Sequence, residues 1–438
     1  MPTAIEFFKL LPKTNCKDCG QPTCLAFAML LANQKAKIDD CPHISKDSKD
    51  ALEESSAPPI RTVVLGKGSE VRMGGETVLH RHERGFINPT AYAVTVSDKE
   101  NIRNRIETIK KLRFERVGMV FETDMVSVRC DSGDPKVFRD AVVLVMELWE
   151  KPFALECCAS VLESALSAAS SRRPLIYHAN TENFDDMVAL SKKYSCPLVL
   201  RDPNMGSLAG LADKAKAMGV DDIVLDTGAA NLKECVEKHT IARRAAIKKR
   251  FKQFGYPLMN RVGSGEYAVA IAAVSTMKYG SLVIFDDLKS YEALPLFTLR
   301  QNIYTDPQVP IQVKQGLYPI GEPNEHSPIF FTANFSLTYF TVRADIEKSK
   351  IPVWLQIVDT EGLSVLTAYS AGKFNPEHVA KALNDSGVLS KSDGIVVIPG
   401  LVARMSSKLR ELLDREVIIG TTESRDIPKF LKNLKPPR

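Results

Sequence analysis

From residue 91 the apolar positions fall into short continuous runs, separated by longer stretches with helical spacing. The short runs AYAVTV (91–96), MVSVRC (125–130), FALEC (153–157), LIYHA (175–179), PLVLR (197–201), DIVLD (222–226), PLMNR (257–261) and SLVIF (281–285) read as buried strands. Stretches such as VFRDAVVLVMELW, SVLESALSAAS, DDMVALSKKY and LAGLADKAKAMG carry apolar residues at helical period. Eight strands, each followed by a helix, predict a TIM (β/α)8 barrel. An open doubly wound sheet shares this alternation and stays as the alternative, because periodicity does not show closure.

The pattern changes after PIGEPNEHSP. Strands are expected at IFFTANFSLTYFTV (329–342), VWLQIVDT (353–360), IVVIPG (395–400) and EVIIG (416–420), with helices at PEHVAKALNDSG and VARMSSKLRELLD. That predicts a compact Rossmann-like α/β domain. Ahead of the barrel, RTVVLGKG and ETVLHRHER suggest a hairpin-like lead-in, ALEESSAPPI (51–60) a linker, and MPTAIEFFKLLPKTNC a short amphipathic helix. The expected domains are 1–57, 58–325 and 326–438, an α/β multidomain chain.

Composition adds limits. At 438 residues the chain is too long for one ordinary core. It is 44% hydrophobic and 25% charged, as globular proteins are. No apolar run reaches the roughly 18 residues of a membrane span, and the start does not read as a secretory signal. A cytoplasmic location is therefore expected, with thiols reduced or metal-bound. A net charge of +5 does not argue for nucleic acid. Neither a G-x-G-x-x-G nor a Walker A loop is present, which counts against NAD or ATP.

Four of the nine cysteines sit in NCKDCGQPTCLAFAMLLANQKAKIDDCP, spaced Cys16-x2-Cys19-x4-Cys24-x16-Cys41. The C-x2-C pair puts two sulfurs on one side of a turn. Cys24 opens the run LAFAMLLA, so a helix N-terminus would favour its thiolate. Zinc sites usually pair two C-x2-C knuckles, and here the second half is uneven, with His43 the one nearby histidine. The spacing suits a 4Fe-4S cubane better than zinc. Such a short segment also needs the metal for stability.

Elsewhere the signals are weaker. Asp98, Asp131, Asn180, Asp202, Asn204, Asp226, Asn260 and Asp286 follow the strands, where a barrel has its active-site mouth. They are either a substrate or pterin pocket or ordinary turn and cap residues. ARRAAIKKRF (242–251) reads as a solvated helix face. The C-terminal strand ends carry small and hydroxyl residues in 332–336, 362–368, 399–400 and 420–424, loops that let backbone approach a large ligand.

The combination of NCKDCGQPTCLAFAM, RQNIYTDPQVPIQV (300–313), TANFSLTYF and DTEGLSVLTAYSAGKF resembles the large (gamma) subunit of corrinoid iron–sulfur proteins from acetyl-CoA decarbonylase/synthase systems. The resemblance implies a methyl carrier of the reductive acetyl-CoA pathway, a methyltransferase component rather than a stand-alone catalyst. Cobalt(I) would accept a methyl from a methyltetrahydropterin through a methyltransferase, and methyl-cobalt(III) would deliver it to the nickel cluster of acetyl-CoA synthase. A 4Fe-4S cluster on Cys16, Cys19, Cys24 and Cys41 would restore cobalt(I) from cobalt(II). The implied partners are a small (delta) subunit as heterodimer, the methyltransferase, acetyl-CoA synthase/CO dehydrogenase and a reductive activator, with no nucleic acid and no membrane.

By carry-over, the corrinoid would be held by Thr332, Asn334, Ser336, Leu337, Thr338, Gly362, Leu363, Ser364, Val365, Leu366, Thr367, Ala368, Pro399, Gly400, Gly420, Glu423 and Ser424, with Thr367 near the lower cobalt face. The family pattern has Pro-Arg-Glu after Gly420, where this chain has Thr-Thr-Glu. None of the seven histidines (43, 80, 82, 178, 239, 326, 378) sits in D-x-H-x-x-G, so a base-off cobalt without a protein ligand is expected. The rivals are an electron-transfer adaptor without corrinoid, and a barrel that binds methyltetrahydropterin itself through Asp202, Asn204, Asp226 and Asn260.

Overall fold

The computed structural model describes residues 4–33, 35–45, 48–49, 58–306 and 309–434. The expected linker at 51–60 falls mostly outside the described residues. The chain divides into two compact units, Met1–Arg113 with Glu122–Tyr304, and Phe114–Phe121 with Thr305–Arg438.

The first unit holds a hairpin of β1 (Val63–Leu65) and β2 (Val71–Met73), then the strands β3 (Ala91–Ser97), β6 (Met125–Arg129), β7 (Phe153–Glu156), β8 (Leu175–Ala179), β9 (Leu198–Arg201), β10 (Ile223–Asp226), β11 (Leu258–Val262) and β12 (Gly280–Phe285). These eight pair in parallel and close, β12 onto β3, so the doubly wound alternative falls. All eight expected strands are present. Val63, Leu65 and Met73 share one core with Ala91, Met125 and Leu175, which open their strands, so the hairpin packs into the N-terminal end of the barrel. Helix starts are fixed locally: Asn101, Asp134, Asn204 and Asn231 each accept backbone N–H bonds as N-caps. The cysteine-rich segment has its own small core, with Phe7, Leu11, Phe27, Ala28 and Leu31 joining the helices Ala4–Leu10 and Cys24–Ala32.

The second unit is a five-stranded sheet of β13 (Gly316–Ile320), β14 (Ile329–Ala333), β15 (Val353–Val358), β16 (Val396–Ile398) and β17 (Val417–Ile419). Its order is β13-β15-β14-β16-β17, with β13 antiparallel at the edge and the rest parallel. It is doubly wound in the flavodoxin-like order. The sheet takes in β13, ahead of residue 326.

Several expectations change. The run 329–342 is not one strand: β14 stops at Ala333 and a helix runs Ser336–Ser349. Its aromatic and β-branched residues imitate strand composition. The lead-in hairpin pairs Val63 with Met73, not with ETVLHRHER. Arg243, expected on a solvated face, is 4% exposed, stacked on Tyr279 at 4.6 Å and 4.0 Å from Glu76. A second hairpin, β4 (Arg113–Arg116) and β5 (Met119–Glu122), carried no usable signal. Its turn places Val117 at φ 50° and Gly118 at φ 68°, and valine there hides the usual Asn-Gly signature. Among the described residues no helix is long and apolar enough to cross a membrane.

Candidate functional site

The cysteine lobe is built from a left-handed loop. Lys13, Asn15, Lys17 and Gly20 all have positive φ, which coils the chain tightly around Cys16 and Cys19. Asn15 Oδ1 accepts the Cys24 N–H at 2.8 Å, and Thr23 Oγ1 accepts the Ala26 N–H at 3.0 Å. Together they fix Cys24 as the first residue of its helix, as the sequence predicts. Cys24 and Cys41 are buried in the lobe's apolar core and Cys19 packs against it, while Cys16 lies on the exposed side.

All four thiols are free. Among the described residues no three of these sulfurs lie within 4.8 Å of one another. Tetrahedral zinc at about 2.3 Å per bond would hold them roughly 3.8 Å apart. Four thiols at uneven sequence spacing suit a cubane. His43 Nε2 lies 2.6 Å from Asp18 Oδ2 beside Cys16, and this hydrogen bond, with a weaker one to Cys16, holds Asp18 below the usual carboxylate range.

The second site lies at the C-terminal ends of β14 and β16. From β14 the chain goes to β15 on one side, and it returns to β16 on the other. That reversal opens a crevice where open α/β sheets bind ligands. A cavity of about 280 Å³ sits there. Of the expected residues, Thr332, Leu337, Thr338, Val365, Pro399, Gly420 and Ser424 line it. Thr341, Leu401, Thr421, Thr422 and Ile427 line it as well, and the expected set lacks them. Thr341 was hidden by the strand reading. On a helix, Thr338 and Thr341 are three apart and share a face. Among the described residues no charged side chain lines the cavity.

The remaining expected residues do not line this cavity. Asn334, 3% exposed, accepts hydrogen bonds from the Thr360 and Gly362 N–H groups, and its amide donates to Asp359 at 2.9 Å. It shapes the 359–363 loop. The Val313 and Ser336 N–H groups bond to Asn334 O and Ile311 O, which ties PIQV (310–313) to the same place. A Cβ on Gly400 would sit 2.8 Å from Gly420 O, so only glycine lets the β16 and β17 loops meet there. Ser364 and Thr367 pair through their hydroxyls at 3.0 Å, Ala368 is buried, and Leu363 packs at the edge of the core. Glu423 is exposed. Leu337, Leu366 and Leu401 follow β14, β15 and β16 in turn and are 54%, 52% and 49% exposed. Leu337 and Leu401 also line the cavity, and Leu366 adds exposed apolar surface after β15.

The barrel mouth is different. Asp98 accepts the Asp131 and Ser132 N–H groups, Asn180 those of Glu182 and Asn183, and Asp202 that of Asn204. Asn204 caps the helix Met205–Ala217. Those four are turn and cap residues. Asp286 binds Arg129 at 2.7 Å and Arg261 at 2.5 Å, and Arg261 also binds buried Glu156 at 2.9 Å. Burial works against the Arg261 charge, but the two carboxylates outweigh it and raise its pKa. Asp131 pairs with Arg129. Asp226, 2% exposed, accepts from Tyr177 at 2.9 Å and lies 3.2 Å from Arg201, while burial raises its pKa. Asn260 is buried, with its amide 3.7 Å from Cys235 Sγ.

Comparison with known proteins follows the same division. Residues 62–431 match the family described as "CO dehydrogenase/acetyl-CoA synthase delta subunit", and residues 11–43 match "Putative Fe-S cluster". The "Corrinoid/iron-sulfur protein large subunit" of Moorella thermoacetica is 42% identical, with 98% of each chain covered. The "Acetyl-CoA decarbonylase/synthase complex subunit gamma" of Methanocaldococcus jannaschii is 34% identical over 98% of this chain and 96% of that one. This chain belongs to the corrinoid/iron–sulfur protein large-subunit family. The delta-subunit match begins after the cysteine lobe. The full-length matches to the large and gamma subunits include it, and that places the chain on the large-subunit side.

Proposed function

We propose that this chain is the corrinoid-bearing methyl carrier of an acetyl-CoA decarbonylase/synthase complex, with one 4Fe-4S cluster and one corrinoid. The observation that carries the reading is the uncharged cavity at the β14/β16 switch point, with Leu337, Leu366 and Leu401 exposed after three of the sheet's strands. A corrinoid needs both a flat apolar seat and a slot for its tail. The cavity hydroxyls of Thr332, Thr338 and Ser424 would hydrogen-bond the tail, and Leu337, Leu366 and Leu401 would shield the ring from water. Asn334 and Gly400 position the loops that do this. When bound, the cobalt supplies the nucleophile and leaving group for methyl transfer from a methyltetrahydropterin, through a separate methyltransferase, toward the nickel cluster of acetyl-CoA synthase.

No described histidine lines the cavity. In this unit His326 faces Asp393 at 2.9 Å, and His378 Nδ1 bonds Lys373 O at 2.8 Å. A cobalt held without a histidine ligand, as the sequence leads one to expect, would keep its low oxidation state reactive. Cys16, Cys19, Cys24 and Cys41 would hold the cluster that returns oxidised cobalt to use. The reading in which the barrel itself takes the pterin is weaker at three of its four residues, since Asp202 and Asn204 serve their own turn and helix and Asp226 is already paired, whereas the buried Oδ1 of Asn260 has no hydrogen-bond partner among the described residues.

The test uses protein co-produced with its small subunit. About one cobalt and four irons per chain are expected. Cys19→Ala should lower iron content and stop reductive recovery of cobalt(II), while methyl uptake by preformed cobalt(I) continues. Recovery at the normal rate in that variant would refute the role given to the cluster, and iron without cobalt would refute the carrier reading.

A further inference from the structure

Three thiols meet at the C-terminal rim of the barrel, outside both sites above. Cys130 follows β6, and Cys157 and Cys158 follow β7. The two strands pair in parallel, with Arg129 opposite Glu156 as their last partners, and the Cys130 N–H donates to Glu156 O at 3.0 Å. The next residues in this register are Cys130 and Cys157. Adjacent strands lie roughly 4.8 Å apart, inside the roughly 4.4–6.8 Å Cα range that a disulfide spans. Cys130 and Cys158 both act on the Cys157 thiol. None of the three is in a disulfide. Their sulfurs are not all within 4.8 Å of one another, which favours pairwise thiol chemistry over a shared metal.

The three environments differ. Cys158 is exposed and stands at the N-cap of the helix Ala159–Ala169. Ser160 Oγ lies 3.3 Å from its sulfur and holds the thiol below its ordinary range. Cys157 is half-buried, and burial, reinforced by Cys130, pushes its thiol up. Cys130 is half-buried, with Ser132 Oγ 3.9 Å from its sulfur. An exposed thiolate is the form that reacts with oxidants, and a thiol beside it resolves the product as it gives its proton to the departing oxygen.

We propose that Cys130, Cys157 and Cys158 form a reversible oxidation site, entered by a peroxide at Cys158 and closed as a Cys130–Cys157 disulfide. The Cys158 thiolate attacks one peroxide oxygen, the O–O bond breaks, and hydroxide leaves. Cys157 attacks the sulfenic sulfur; an S–S bond forms, the S–O bond breaks, and water leaves with the Cys157 proton. A bridge between sequence neighbours is strained, so Cys130 displaces it. Cys158 departs as thiolate, and the Cys130 proton neutralises the hydroxide. Two thiols have lost two hydrogens and the peroxide has become two waters. A dithiol reductant of the thioredoxin class reverses the state by exchange.

This proposal does not depend on the cofactor reading. The test uses the full-length holoprotein, treated anaerobically with one equivalent of hydrogen peroxide, blocked with iodoacetamide and mapped by peptide mass spectrometry. Peptides bearing Cys130 and Cys157 should be cross-linked, and dithiothreitol should free them. Cys158→Ser changes an exposed side chain and should slow the cross-link by at least about tenfold. Alkylation of all three cysteines after the peroxide is consumed, with iron and cobalt absorption unchanged, would overturn the proposal. So would cross-linking at an unchanged rate in C158S.

Discussion

The barrel mouth and the C-terminal cleft both lie at the carboxyl ends of parallel strands, yet their side chains are arranged in opposite ways. At the mouth, charged groups satisfy one another: Arg261 bridges Glu156 and Asp286, and Arg129 bridges Asp286 and Asp131. In the cleft the lining is apolar with scattered hydroxyls, and no described charge enters it. Three leucines stay exposed beside it. A group whose partners lie within the protein has little left for a ligand. An exposed apolar surface gains by being covered. Strand-end position is therefore a poor guide to function until the partners of each group are known.

The sharpest way to break this comparison is Arg261→Met. It leaves Glu156, 8% exposed, without its cation. Breaking a buried pair from one side costs about 3–5 kcal/mol. The loss should appear as faster hydrogen exchange in β7, β11 and β12, with corrinoid content per folded chain unchanged. Unchanged exchange would show that the network does not hold the mouth together.

Thr338→Trp probes the other side. The indole would fill much of the 280 Å³ cavity from the helix Ser336–Ser349. Corrinoid affinity should fall about 100-fold, or ~2.7 kcal/mol, while barrel hydrogen exchange stays as it was. Full cobalt occupancy with normal affinity in this variant would place the corrinoid elsewhere.

How far the sequence reveals each region follows from the same contrast. The eight barrel strands are legible because each is buried on both faces and reads as a continuous apolar run. The cysteine lobe is legible because thiol spacing reports metal chemistry directly. The cleft is legible only in part. Thr332 and Pro399 sit at strand ends and are visible as such, whereas Thr341 and Ile427 reach the cavity from helices whose facing only the fold decides. The hydrogen bonds of Asn334 to the Asp359–Gly362 loop are not visible in sequence. At the mouth, the pairing of Glu156 with Arg261 is not legible, because a strand-end charge does not reveal its partner 105 residues away.

Asn204 gives the smallest effect and the finest discrimination. As a strand-end asparagine it could bind a pterin; as an N-cap it holds Gly206 and Ser207 N–H groups at 2.9 and 3.0 Å. Asn375 plays the same capping part in the second unit, where its Oδ1 accepts the His378 N–H at 2.8 Å. If both are caps, Asn204→Ala and Asn375→Ala should each cost about 1 kcal/mol of local stability. Asn204→Asp should keep most of it, since aspartate caps as well. Methyl uptake should be normal in all three variants, measured with the separate methyltransferase present. If Asn204→Ala abolished methyl uptake without loosening its helix, the mouth would be a substrate site and the contrast with the cleft would fail. A stability loss matched by Asn375→Ala, with uptake intact, would leave the barrel as scaffold.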